Sequence, residues 1–273
     1  MKILEILFIL IPATILLYLF ALLPQIGRRK RYKAFQGLHF AHRGLWSIRK
    51  GIPENSLPAF QAAADKGYAI ELDVHLTADG KAVVFHDDGL QRMCESKSMI
   101  WDISYEDLQK LYLKNSKEKV PLFSDVLQVV KGRVPLLVEL KANGTSTKVC
   151  EVASHLLDNY PGLYCIESFS PFILRWYKKN RPQIIRGQLS CHFQPSVAYP
   201  WIAKKMSEHL FVNFFGRPDF IAYEYHHGMH LWNILLLKKL FQTPIFAWTI
   251  HSQTAEKNSK KVFDSIIFDR YLP

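Results

Sequence analysis

Cysteine is scarce in this chain of 273 residues: Cys94, Cys150, Cys165 and Cys191 are the four, and no two form a C-x-x-C pair. That spacing indicates neither a zinc site nor a disulfide framework; free thiols in a reducing compartment fit it. No internal repeat and no low-complexity segment interrupts the chain, so a solenoid or a disordered array is not indicated. A net charge of +11 comes without any nucleic-acid-binding motif, and charge alone does not make nucleic acid a partner. What is present is a composition of 49% hydrophobic and 22% charged residues, which allows one sizeable core and does not resemble a disordered chain.

The charge has a location. Residues 1–27 carry only Lys2 and Glu5, which cancel, whereas Arg28, Arg29, Lys30, Arg31 and Lys33 form a basic collar. Ahead of the collar, Ile3 to Leu23 is close to the length that crosses a bilayer, broken only by Glu5 and Pro12. A cleaved signal peptide would carry its positive charge before the apolar run and a small-x-small site after it; here the charge follows, and Ala21–Leu22–Leu23–Pro24 is a poor site. The expectation is an uncleaved single-pass anchor over 1–27, a basic juxtamembrane linker over 28–37 and one folded domain over 38–273. The five basic side chains on the C-terminal flank put that domain on the cytoplasmic side by the positive-inside rule.

Chemistry concentrates in Glu71 to Asp88, ELDVHLTADGKAVVFHDD. Side chains alternate along a strand, so Glu71 and Asp73 share one face of AIELDVH, with Leu72 and Val74 on the other. Two carboxylates on one face repel unless a cation lies between them, which a divalent metal supplies. Asp79–Gly80 is a hairpin signal that folds Lys81 to Phe85 back and delivers His86 beside the carboxylates. On spacing alone, an exposed acidic strand followed by a surface histidine fits equally well.

Upstream, Leu38 to Ala41 is a short apolar strand ending in His42, Arg43 and Gly44. Ser56 is an N-cap for a helix over 57–66, with Pro58 in its first turn and Gly67 past its end. Those three are explained by structure, whereas Glu54, in the loop above, has no capping duty. Val134 to Lys141 is a further apolar strand that sets Glu139 and Lys141 on one side. Strands at 164–169, 185–190, 220–225, 245–250 and 265–268 bring the number to eight, with helices at 121–130, 146–157, 171–179, 201–209 and 229–241 between them, the alternation of an α/β fold.

These residues resemble the glycerophosphodiester phosphodiesterase family: AHRG at 41–44, PENS at 53–56, ELDV at 71–74, T-x-DG at 77–80, VVFHDD at 83–88 and LVELK at 137–141 follow its signature in order and approximate spacing. The resemblance covers most of 38–273 and excludes the apolar segment. It implies a (β/α)8 TIM barrel with a small insertion over 87–119, a divalent ion, Mg2+ or Ca2+, and hydrolysis of glycerophosphodiesters. Under it, Glu71, Asp73 and Glu139 hold the metal and His42 and His86 divide the acid and base roles. Arg43 and Lys141 meet the phosphate with Glu54 nearby, and Trp248 packs against the glycerol. His251, where the family commonly has asparagine, and Asp264–Ser265, in place of Asp-Gly, depart from the pattern and leave headgroup and acyl preference open.

Alone, His42 would be read as a structural histidine; paired with His86 inside two matched motifs it is read as catalytic. His226, His227 and His230 are set aside for want of a third ligand, and Trp101, Trp176, Trp201 and Trp232 are expected in core or insertion packing. Two other functions fit the residues: a lysophospholipase D-type enzyme, for which a membrane anchor speaks, and a non-catalytic phosphodiester-binding barrel, which the intact set of catalytic groups disfavours. The partners expected are therefore a glycerophosphodiester or lysophospholipid and a membrane; no protein partner is indicated.

Overall fold

The computed structural model describes residues 2–27, 29–194 and 200–273. Arg28 of the expected collar lies outside the described residues. Nine strands form one sheet: β1 (His39–Ala41), β2 (Ala69–Leu76), β3 (Ala82–Val84), β4 (Leu136–Leu140), β5 (Tyr164–Ser168), β6 (Arg186–Ser190), β7 (Phe220–Glu224), β8 (Ile245–Ile250) and β9 (Ser265–Phe268). All but β3 run parallel, and β1 pairs with both β9 and β2, so eight strands close into the expected barrel. β3 is the return arm of the expected hairpin, antiparallel to β2, with Gly80 at positive φ in its turn.

The helices that matter below are α1 (Lys2–Leu22), α2 (Leu57–Asp65), α3 (Phe123–Val130), α4 (Lys148–Leu157), α5 (Pro171–Asn180), α6 (Trp201–Glu208), α7 (Trp232–Phe241) and α8 (Gln253–Ser259). Ser56 caps α2, accepting from the Ala59 amide at 3.4 Å. The helix expected over 229–241 starts only at Trp232, because the chain first makes a separate turn at Tyr225–Gly228 in which the Glu224 carboxylate accepts from the His226 and His227 amides.

Period-two alternation sorts the barrel into two layers. Leu72, Val74, Val138, Ile166, Ile221 and Ile266 point outward into the core shared with the helices. Phe40, Ala69, Leu137, Cys165, Phe246 and Ile267 point inward and fill the lower barrel. Two residues further along each strand, the same inward columns carry His42, Glu71, Glu139, Glu167, Trp248 and Asp269. An apolar floor thus gives way to a polar C-terminal mouth. The floor is sealed from below by Tyr32 and Phe35, each 3% exposed, from the segment expected as linker; the Tyr32 ring lies 6.3 Å from that of Phe220 and 5.9 Å from that of Phe246. The insertion after β3 has a small core of its own, with Phe85, Leu90, Ile100, Leu108, Leu113 and Val120 buried together.

Two expectations about tryptophan are corrected. Trp101 and Trp176 pack against cores, but Trp201 and Trp232 are 71% and 67% exposed. Each opens a helix, α6 and α7, so it stands on the first turn with no strand behind it. The four cysteines are free, three buried and Cys191 partly so.

Candidate active site

The mouth is built by register. β2 pairs with β4 so that Asp73 lies opposite Glu139, and β4 pairs with β5 so that Glu139 lies opposite Glu167. With Glu71 one inward step below Asp73, this puts four buried acids on three neighbouring strands. Ligand oxygens of Glu71, Asp73 and Glu139 all lie within 4.8 Å of one another. Among the described residues this is the group of carboxylates, histidines or thiols placed to share an ion.

Two cations hold the cluster. Lys141 Nζ lies 2.8 Å from Asp73 Oδ1 and 2.7 Å from Glu139 Oε1. Arg43 donates its backbone N–H to Glu71 Oε2 at 2.9 Å and its Nη1 to Glu54 Oε1 at 2.6 Å, with Nε 3.7 Å from Asp73 Oδ2. Asn55 donates to Asp73 Oδ2 at 2.8 Å. Glu54 also receives the Arg92 guanidinium at 2.6 and 3.1 Å, so its carboxylate braces two arginines.

The acids respond to these neighbours unequally. Asp73 is held well below the usual carboxylate range in spite of burial, by Lys141, His86 and Arg43. Glu71 is pushed well up by burial and by Asp73 and Glu139. Glu139 rises to about 7, through burial above all, with Lys141 opposing and Asp73 adding to the rise. Glu167 is raised by burial and by the other three acids. With all four acids ionised, Arg43 and Lys141 would leave a deficit of two positive charges, which protons meet in the metal-free cluster; an all-oxygen donor set of this kind suits a hard divalent ion in their place.

Both histidines lean on an aspartate. His42 Nδ1–H donates to Asp269 Oδ2 at 3.1 Å, and His86 Nδ1–H donates to Asp87 Oδ1 at 2.6 Å. A carboxylate can only accept, so each neutral ring carries its proton on Nδ1 and has Nε2 as its acceptor nitrogen. Burial lowers both histidines from their ordinary value; for His86 the charge of Lys141 adds to this. Both line a cavity of about 940 Å³ over the barrel mouth, together with Glu71, Glu139, Lys141 and Trp248. Arg43, Glu54 and Asp73 stand behind that surface, 14%, 13% and 1% exposed at their side chains.

Several neighbours had no motif to announce them. Glu167 occupies the same inward column of β5 that Glu139 occupies in β4, and counting two residues back from the strand end would have found it. Asp269 follows β9 and joins His42 to His251, whose Nδ1 lies 2.5 Å from Asp269 Oδ1. His75, on β2, donates Nε2–H to the His86 carbonyl at 3.3 Å; burial brings its pKa down to about 4, so it stays a neutral brace. His227, set aside as a metal ligand, stacks on His192 at 4.5 Å and pairs with Glu224.

The Glycerophosphoryl diester phosphodiesterase family model matches residues 42–203. A glycerophosphodiester phosphodiesterase of Caldanaerobacter subterraneus is 30% identical over 177 residues, 60% of this chain and 70% of that protein. One of Bacillus altitudinis is 35% identical over 159 residues, 53% of this chain and 63% of its own length. In fold, the chain is similar to an Oleispira antarctica phosphodiesterase solved in complex with the product sn-glycerol-3-phosphate. The TM-score is 0.68 at 22% identity, over 86% of this chain and 93% of that one. A glycerophosphodiester phosphodiesterase of Thermotoga maritima gives 0.65 at 21% identity, over 85% and 94%. With more than half its length inside the family model and the motif-bearing strand ends inside that match, the chain belongs to the glycerophosphoryl diester phosphodiesterase family.

Proposed function

We propose that the protein hydrolyses glycerophosphodiesters to glycerol 3-phosphate and an alcohol, with His42 and His86 as the acid–base pair. The observation that carries this reading is that both histidines, each with Nδ1 held by an aspartate, line one cavity with the buried carboxylate cluster. A divalent ion, Mg2+ or Ca2+, would be held by Glu71, Asp73 and Glu139 and would supply Lewis-acid neutralisation of the phosphate charge.

The chain's own groups do the rest. Lys141 lines the cavity and Arg43 stands just behind, so both bring positive charge to non-bridging oxygens; a guanidinium can serve two at once. Glu54 acts by fixing Arg43, and Trp248 offers an apolar face for the glycerol. One histidine, neutral, accepts the proton of the attacking hydroxyl on Nε2 as the new P–O bond forms; the other enters the step as an imidazolium and gives its Nε2 proton to the departing alkoxide as the old one breaks. Either water or the glycerol 2-hydroxyl can be that nucleophile.

The same reading makes residues 1–27 a single-pass anchor, 28–37 its juxtamembrane link and 38–273 the catalytic barrel. Support comes from the exposed apolar surface of α1, whose residues Glu5–Leu22 are almost wholly unburied and have a mean hydropathy of 2.4, and from the basic residues after it, which favour the cytoplasmic side. The test of activity is phosphorus NMR of the full chain with glycerophosphocholine, with chelator and then with excess Ca2+ or Mg2+. Chelator-sensitive appearance of glycerol 3-phosphate is the expected result; no product under either ion defeats the proposal.

A further inference from the structure

The direction in which α1 leaves the barrel is fixed by what its last two turns touch. Barrel helices descend from mouth to floor, and α7 marks both levels. Its first turn follows the mouth-side loop after β7, whereas Lys238, near its end, donates to the Val262 carbonyl at 2.5 Å and to Asp264 Oδ1 at 3.0 Å, just ahead of β9. α1 meets the upper level first: Tyr18 O–H donates to Asn233 Oδ1 in the first turn of α7, and the Tyr18 ring lies 5.6 Å from that of Phe211. Further on, the Gln25 amide donates to the Pro218 carbonyl at 2.8 Å and its side chain accepts from Arg186 Nη2 at 3.1 Å, at the starts of β7 and β6 and so at floor level. The N-terminal end of α1 therefore projects past the mouth.

The end of α1 is held in this direction. Arg217 Nη1 donates to the Phe20 and Leu23 carbonyls at 3.0 and 2.8 Å, and Asn213 Nδ2 to the Leu22 carbonyl at 3.1 Å. These bonds satisfy carbonyls that a helix end leaves open, and they set a cation against the negative end of its dipole. Ahead of Tyr18 the helix is exposed throughout residues 5–17. Residues 2–17 make about 24 Å of helix, most of a hydrocarbon core of roughly 30 Å.

A helix that enters a bilayer past the mouth brings the mouth side of the barrel to the headgroups, and that side carries the tryptophans that no core explains. Trp201 and Ile202 open α6, whose next residues Ala203 and Lys204 line the cavity over the mouth; Trp232 opens α7 beside Asn233, the partner of Tyr18; Phe172 opens α5 at the cavity wall. All four are exposed. In the loop after β1, exposed Ile48 is followed by the exposed cations Arg49 and Lys50. Indole rings favour the boundary of a bilayer, where the ring body is shielded and the N–H stays wet, and basic side chains suit headgroup phosphates.

We propose that the barrel sits with its mouth against the bilayer that α1 spans, Trp201, Ile202 and Trp232 seated in the interface, so that the active-site cavity opens toward the headgroups. This rests on the anchor proposed above and not on the hydrolysis: the pose is the same for a soluble phosphodiester and for one borne by the membrane. In this pose the segment expected as a juxtamembrane linker lies with Tyr32 and Phe35 at the floor, on the far side of the barrel from the headgroups.

The test places an environment-sensitive fluorophore on single cysteines of the full chain, in nanodiscs of phosphatidylcholine and phosphatidylglycerol whose lipids carry a nitroxide either near the glycerol or deep in the tail. Ile202→Cys and Trp232→Cys report the mouth, Lys179→Cys, exposed at the end of α5, reports the floor side, and Ile9→Cys, 69% exposed, reports α1. The unaltered protein, labelled in parallel, gives the blank from its own cysteines. The shallow nitroxide should quench the two mouth labels at least twofold more than the Lys179 label, while the Ile9 label answers to the deep one. Mouth labels quenched no more than the Lys179 label, with the Ile9 label quenched, overturn the pose and leave the anchor standing. An Ile9 label that neither nitroxide quenches instead defeats the anchor on which the pose rests. Trp201→Ser together with Trp232→Ser should halve the quenching at Ile202→Cys with the thermal melt unchanged; quenching that persists in full overturns the seating of the two rings.

Discussion

His42 donates Nδ1–H to Asp269, joining the end of the first barrel strand to the end of the last, 227 residues away in the chain. This bond closes the active mouth across the same seam that closes the barrel. It also sets which nitrogen of the neutral His42 ring carries the proton. Asp269 itself is held below the ordinary aspartate range despite burial, by the hydrogen bond and charge of His42 and by His251, so it is a carboxylate at every working pH.

Asp269→Asn should therefore do more than remove a charge. An amide can donate to Nδ1, which would turn the ring to the tautomer with its proton on Nε2; the loss in kcat should be roughly a hundredfold or more. The carboxylate raises the pKa of His42 against burial, so its removal lets that pKa fall. The limb of the pH–rate profile governed by His42 should move to lower pH. A profile that keeps its position with kcat unchanged would take Asp269, and with it His42, out of the reaction.

Arg43→Lys is the second substitution to make. Lysine keeps the charge but not the planar fork, and it cannot reach Glu54 and the phosphate together. We expect kcat/KM to fall by about tenfold to a hundredfold, and Glu54→Gln to fall in the same direction by less, since Arg92 also loses its brace. Equal effects of Arg43→Lys and of a substitution at the half-exposed Arg92 would mean that the network serves stability alone; steady-state kinetics beside thermal melts separates the two.

How legible this was follows from how local each signal is. Apart from Glu54 in the loop after β1, the residues named from the motifs stand on a strand or just past its end, and strands can be read from a few consecutive residues. Glu71 and Asp73 share a face because they lie two positions apart, with only Leu72 between them; Glu139 joins them because β4 pairs with β2 in a register that the closed barrel imposes. Asp269 escaped because its importance lies in a bond to His42 at the other end of the chain, and a lone Asp after SIIF carries no local mark; Glu167 needed the strand column to be counted across β4 and β5, and His75 acts only through the His86 carbonyl across the β2–β3 hairpin. Trp201 and Trp232 misled for the converse reason: large aromatics are usually buried, and only the placement of α6 and α7 shows their first turns facing outward.

The carboxylate cluster makes a prediction about protons. Without a metal, Glu139 sits near 7 and Glu71 well above the usual range, so the metal-free protein carries protons there at neutral pH. A divalent ion must displace them. Affinity for Ca2+ or Mg2+ should weaken by about tenfold for each pH unit below about 7 per proton displaced, and calorimetry in buffers of different ionisation enthalpy should detect the release. His86→Ala, by contrast, should abolish turnover and leave the isotherm nearly unchanged. An affinity indifferent to pH over this range would place the ion away from Glu71 and Glu139.

The last prediction concerns the floor. Residues 28–37 read as a basic linker, yet Phe35 is buried with Tyr32 against Phe220 and Phe246, and its carbonyl accepts from Ser265 Oγ at 3.1 Å. A linker residue could be trimmed at no cost, whereas a plug cannot, because its removal opens the apolar interior of the barrel to water. Phe35→Ala should cost about 3–5 kcal/mol, the usual range for a buried phenylalanine, while Lys33→Ala on the exposed side should change stability by less than about 0.5 kcal/mol. Chemical denaturation of the full chain in detergent measures both. If the two variants melt alike, the barrel begins at Leu38 and the segment before it is a tether. If only Phe35→Ala is destabilised, the segment that leads from α1 also closes the barrel, and the apolar helix is tied to the barrel at its floor.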